Sequence, residues 1–259
     1  MFGSYDKTKV QRIEGNEPEK TDILDDPEFV LSKEDTERII DNLKSAAGNS
    51  DWPEFFDLLF YMSLRDPDFS MDIGAIKNAE FETEIKSGSD DPGVIFSNLI
   101  ASNHLKHFVW NNIPDNAGEI ISASLWQDLK TGKSDGRFWP WIKLYLKKKN
   151  GFDIEIPKED NELECLQKAL GNFKEKKDWV KYLELAGGIR TLDPDQSLDL
   201  ECIDWSEIRA KIEKLRASTI EYWDGETLLM MMAIEALKRT KKRRDGDPKV
   251  EPMPTARKF

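Results

Sequence analysis

The spacing of apolar residues along the chain changes period twice. From residue 32 it is helical. Ile39, Ile40, Leu43 and Ala47 fall on one face, the three-to-four spacing of a helix that buries one side. Ser32, with Asp35 three residues on, marks its start, because each side chain can take the other's backbone N–H. The stretch GNSDWP breaks that helix. Pro53 suits the first turn of a second helix. Its body, EFFDLLFYMSL, is apolar nearly all round, as a buried helix is, and RDPD ends it because the residue before proline disfavours helix.

Between about residues 70 and 157 the period shortens towards two. MDIGAI, EFETEI and EIISASLW read as strands. IKLYLKKKNGFDIEI reads as a hairpin, two alternating runs around Asn150-Gly151, the dipeptide favoured in a type I′ turn. A helix from Val94 to Asn112 separates the strands, with Ile95, Leu99 and Val109 on one side. From residue 159 the helical period returns. Leu163, Leu166 and Leu170 form one stripe. Trp179, Leu183 and Ala186 form another, ended by Gly187-Gly188. Asp204 caps WSEIRAKIEKLRAS, with Glu207 three residues on and Ile208, Ile212 and Leu215 inward. GETLLMMMAIEALKR follows, its methionine run suited to a core or to an adaptable partner surface.

This pattern predicts an α+β fold, mainly helical, with a small central sheet or hairpins at about residues 71–156 flanked by N- and C-terminal helices. Residues 1–30 read as an extended or disordered arm. Residues 31–240 read as a single domain, helical over 31–65, strand-rich over 70–157 and helical over 159–240. Residues 241–259 read as a basic, Pro-rich tail.

Composition narrows the function classes. At 259 residues, 39% hydrophobic with eight Trp, the chain can bury a core without staples. Cys165 and Cys202 are too few for a disulfide framework and fit a reducing cytosol or simple burial, so the expected location is the cytoplasm. No apolar run reaches the length of a membrane span, and MFGSYDKTKVQRIEG lacks the apolar stretch of a secretory leader. The net charge of −12 excludes a surface that wraps nucleic acid over its whole extent. The charge is uneven, however. Residues 1–36 carry ten acids and five bases, whereas Lys238–Arg244 holds six bases in seven residues. An acidic body with a basic end suggests charge-guided contact, with copies of itself or with nucleic acid at one edge. Lys238, Arg239, Lys241, Lys242, Arg243 and Arg244 are the candidate nucleic-acid contacts. A solvated helix end explains the same bases, since cations complement the helix dipole there.

Reactive constellations are sparse. Asp72 followed by Glu84 and Lys86, with Glu54 on the preceding helix, resembles the metal-binding hairpin of PD-(D/E)xK nucleases over residues 72–86. That resemblance implies two carboxylates on Mg²⁺ and a lysine that orients or activates the attacking water. A strand pair with charged edges explains the same residues, and SGSDDP adds acids where DNA would need bases. His104 and His107 are the only histidines. A zinc site needs a further ligand beside them, so they read as a surface face and a helix end. No Gly-rich phosphate loop and no nucleophile elbow occurs.

The order of elements carries a second resemblance. LSKEDTERIIDNLKSAAGNSDWPEFFDLLFYMSLRDPDF looks like the helical opening of Mu-type phage portal proteins. FETEI, AGEIISASLW, GRFWPWIKL and FKEKKDWVKYLELAGGI follow in the family's order, covering about residues 30–190. This resemblance implies a ring-forming, non-enzymatic subunit in phage DNA packaging. An acidic lumen that repels phosphate and a heterologous, cyclically closed interface are compatible with the charge.

The expectation is therefore a non-enzymatic assembly protein acting through protein–protein contacts, a homo-oligomer or part of a larger assembly, portal-like in its sharpest form. It calls for no cofactor, no metal, no catalytic residues and no membrane, with DNA contact through the basic end. The alternative is a Mg²⁺-dependent nuclease using Asp72, Glu84 and Lys86. A third reading is an acidic helical adaptor or inhibitor.

Overall fold

The computed structural model describes residues 24, 29–72, 91–106, 108, 114–152, 154, 156–157, 160–217 and 225–244, the last three by their backbone. Most of the expected arm, the strand expected in EFETEI and the end of the basic tail lie outside the described residues. Those described form nine helices and one pair of two-residue strands. The mainly helical α+β class holds.

Helix α1 (Lys33–Gly48) starts as its sequence demands. Ser32 Oγ accepts from Asp35 N at 3.0 Å, and Asp35 Oδ2 accepts from Ser32 N at 2.9 Å. Arg216 Nη2 binds the same carboxylate at 2.9 Å, which ties α1 to the end of the helix Trp205–Ala217. Burial raises the Asp35 carboxyl, but hydrogen bonds from Ser32 and Arg216 outweigh it and the net shift is downward. Helix α2 (Trp52–Arg65) has Pro53 in its first turn and buries Trp52, Phe55 and every residue from Leu58 to Ser63. It stops at Asp66, before Pro67.

The sheet is smaller than the alternation suggests. Strand β1 (Met71–Asp72) pairs in parallel with strand β2 (Leu105–Lys106), Met71 opposite Leu105 and Asp72 opposite Lys106. Helix α3 (Pro92–His104) links to β2 directly, so it ends eight residues before the predicted Asn112.

Two predicted β segments are helices. EIISASLW lies in α4 (Ala117–Thr131) and IKLYLKKKN lies in α5 (Trp139–Asn150). Asn150-Gly151 is a helix end and not a hairpin turn. Gly151 takes the left-handed conformation at φ 70°, and Phe152 N returns to Leu146 O at 3.1 Å. The reason is burial. Trp139, Ile142, Tyr145 and Leu146 are all buried, at three- and four-residue spacing, and this helix packs on the helix Trp179–Leu192. An alternating pattern and a helical one overlap over so few residues, and the core decides between them.

Helices α6 (Glu162–Lys176), α7 (Trp179–Leu192), α8 (Trp205–Ala217) and α9 (Gly225–Arg244) complete the chain. The α7–α9 contact is the most extensive between elements. Gly187-Gly188 does not end α7; it lies within it. A Cβ on Gly187 would sit 2.5 Å from Ala233 Cα, and one on Gly188 would sit 2.8 Å from Pro140 Cβ. The two glycines let α9 and α5 approach α7 from either side. The methionine run is core, with Met230 and Met231 fully buried. In α6, Leu166 and Leu170 are buried but Leu163 is 39% exposed.

Candidate functional site

A groove of about 790 Å³ opens between α4 and the segment that follows α5. Trp126 and Trp139 form its floor, Phe152, Ile154 and Ile156 one wall, and Asp115 and Glu119 stand at its rim. The tryptophan rings lie 5.4 Å apart, tilted by 43°. Trp126 Nε1 donates to Asp160 Oδ2 at 2.7 Å, and Lys130 Nζ reaches both Asp160 oxygens at 2.7 and 2.8 Å. Trp139 Nε1 donates to Glu162 Oε1 at 2.6 Å, and Lys143 Nζ holds that carboxylate at 3.1 and 2.8 Å. Each indole is thus pinned by a carboxylate that a lysine neutralises. Hydrogen bonds from Lys130 and Trp126 hold the Asp160 carboxyl below its ordinary range.

Gly118 sets the groove's width. A Cβ there would meet Phe152 Cγ at 2.5 Å, so only glycine lets that ring lie against α4. With both indole N–H groups committed and both rings buried, the apolar surface left open is that of Phe152, Ile154 and Ile156. The exposed carboxylates Asp115 and Glu119 give the rim its sign. Such a face suits an apolar ligand flanked by positive charge.

A second polar cluster lies deeper. Arg137 Nη1 is 3.1 Å from Glu184 Oε2 on α7 and 3.1 Å from Glu226 Oε1 on α9. Lys211 Nζ of α8 reaches Glu226 Oε2 at 2.8 Å. Asp135 lies 3.6 Å from Arg137 Nε. Glu184 is fully buried, and its Oε1 has no hydrogen-bond partner among the described residues. Burial pushes its carboxyl up to about 8, with Arg137 opposing and Glu226 adding to the rise. Glu226 moves the other way: burial would raise it, but Lys211 and Arg137 outweigh that. The cluster joins three helices and the loop before α5, as a buried ionic hub does.

Of the residues singled out in the sequence, Asp72 is exposed on β1 opposite Lys106. Glu84 and Lys86 lie outside the described residues, as does His107. Glu54 is half-buried in the first turn of α2. His104 is 1% exposed, so it is a core residue and not a surface one. Its Nδ1 donates to Phe69 O at 2.8 Å, and burial lowers its pKa against the raising effect of that hydrogen bond. Among the described residues no group of three or more His, Cys, Asp or Glu is placed to hold a metal, and no helix is long and apolar enough to cross a membrane. Cys165 and Cys202 are free thiols.

The basic run begins on α9. Lys238 and Lys241 are half-buried and Arg239 is exposed, with Arg239 Nη2 3.7 Å from Glu235. The side chains of Lys242, Arg243 and Arg244 lie outside the described ones. Burial, and then the nearby charge of Arg239, lower the Lys148 pKa. Lys148, near the end of α5, therefore feels the charge of Arg239 on α9.

Sequence reasoning missed the groove and the hub. A signal for the groove was present: WQDLK and WPWIK each place a lysine four residues after a tryptophan, and Asp160 and Glu162 follow two apart. No family model matches the chain, nor does any curated protein or solved structure.

Proposed function

We propose that the protein is a non-enzymatic assembly component that acts through protein–protein contacts, with copies of itself as first partner. A portal-like ring in phage DNA packaging is its sharpest form. The groove carries this reading. Trp126 and Trp139 give their N–H groups to Asp160 and Glu162, which Lys130 and Lys143 also hold, so what is left to face outward is shape, the apolar wall of Phe152, Ile154 and Ile156, and an acidic rim. Those are the properties of a docking face. The bases of α9 and α5 supply an opposite charge elsewhere on the same chain, as a heterologous contact requires. Sedimentation equilibrium of the full chain over a range of concentration and salt tests the reading. Concentration-dependent mass above the monomer is expected, and a strict monomer throughout overturns it.

A second reading rests on the six bases within Lys238–Arg244. Such a run can displace counterions from a phosphate backbone. Binding of duplex DNA that weakens steeply with salt, and weakens further in Arg239→Glu, is the outcome that favours it. Wild-type binding that ignores salt and Arg239→Glu counts against it.

A further inference from the structure

We propose that the groove between α4 and the segment after α5 docks residues 249–259 of a second copy of this chain, the contact through which the copies assemble. This rests on the assembly reading and names the surfaces it would use. Three observations carry it. The groove's floor is tied down: Trp126 and Trp139 each give their N–H to a carboxylate, and Phe152 lies against Gly118. Its available chemistry is the apolar wall of Phe152, Ile154 and Ile156 beside the exposed carboxylates of Asp115 and Glu119. KVEPMPTARKF has the complementary chemistry. Lys249, Arg257 and Lys258 stand against the single acid Glu251, a net charge of +2, and Val250, Met253 and Phe259 supply apolar side chains around and beyond Pro252 and Pro254. Prolines restrict the free peptide and so reduce the entropy lost on docking.

The place from which this segment departs also fits. It follows α9, whose Arg239 lies close enough to Lys148 of α5 for the charges to be felt. Three residues beyond Lys148, Gly151 lines the groove. Fifteen residues, 245–259, follow α9, and at about 3.3 Å each an extended chain of that length reaches about 50 Å. A groove on an adjoining copy is within that span.

A charge swap in the full-length chain tests this. Asp115→Lys with Glu119→Lys reverses the rim. Arg257→Glu with Lys258→Glu reverses the segment. Each pair alone is expected to weaken self-association about tenfold or more, and the four together to restore it. Circular dichroism melts confirm that each variant folds. A fluorescent peptide of residues 249–259 is expected to bind wild type and not the rim variant. Four substitutions that fail to restore assembly overturn the proposal. Rim and segment variants that assemble as wild type does also overturn it, while leaving the assembly reading in place on another surface. A chain that is monomeric throughout overturns the assembly reading itself. If such a monomer binds the peptide only after the segment is reversed, the segment occupies its own groove, and the second-copy contact is overturned with it.

Discussion

Trp126 and Trp139 stand 5.4 Å apart, and each gives its indole N–H to a carboxylate that a lysine one turn further along the same helix also holds. The two arrangements are chemically equivalent and adjacent. Together they turn two large rings, 6% and 3% exposed, into a fixed floor. Glu162→Ala leaves the Trp139 N–H and the Lys143 ammonium without their partner. An unpaired buried donor costs about 1–3 kcal/mol, so that loss is expected in urea denaturation. Loss of peptide binding should accompany it, because the floor is no longer held. Unchanged stability would show that solvent serves the indole equally well.

The α7–α9 contact predicts opposite outcomes for two glycine-to-alanine changes. Gly187→Ala forces a methyl to within 2.5 Å of the Ala233 backbone. Overpacking of that kind costs about 1–3 kcal/mol. Gly171→Ala in α6 meets nothing within 4 Å, and a helical glycine replaced without strain gains about 0.4–1 kcal/mol. Thermal melts of the two variants should therefore move in opposite directions. A Gly187→Ala melt equal to wild type contradicts the close approach.

Glu184 gives the fold a pH dependence. Its carboxyl is pushed from an ordinary 4.5 to about 8 by burial, so the fold favours the neutral form. The stability tied to this group is fully present below about 4.5 and lost as pH rises through about 8. Glu184→Gln keeps the shape and removes the titration. Relative to that variant, wild type is expected to lose stability on the order of 3–4 kcal/mol between pH 5 and pH 8, nearly three pH units at about 1.4 kcal/mol each. Parallel pH profiles for the two proteins would place the Glu184 proton elsewhere.

Asp35 has the opposite sign. Its carboxyl is lowered from 3.8 because the Ser32 and Arg216 hydrogen bonds outweigh burial. Its contribution is present above the ordinary carboxylate range and is lost as pH falls through the lowered value. Asp35→Ala removes the capping box and the Arg216 pair at once. It is expected to cost about 1–2 kcal/mol at neutral pH, and less in acid. A cost that does not shrink in acid contradicts the pairing.

What the sequence discloses is what is decided locally. Ser32 and Asp35 lie three residues apart, and Pro53 and Pro67 bracket α2, so those signals read correctly. Asp204, with Ile208, Ile212 and Leu215 behind it, reads correctly for the same reason. Asn150-Gly151 fails because a type I′ turn and a helix C-terminus both ask for a left-handed glycine. The buried face of Trp139, Ile142 and Tyr145 decides between them, and α7 supplies that burial from elsewhere in the chain. Gly187-Gly188 fails likewise, since a glycine that stops a helix and one that admits a neighbour are the same residue. The groove is hidden more deeply: Trp126 and Asp160 are 34 residues apart. Of the nuclease trio, only Asp72 falls among the described residues.

The most direct measurement is the mass of the full chain in solution by sedimentation equilibrium, for wild type, the rim variant, the segment variant and the four-substitution swap. Assembly in wild type, its loss in each variant and its recovery in the swap are the predicted result. A wild type that stays monomeric at every concentration and salt would contradict the account.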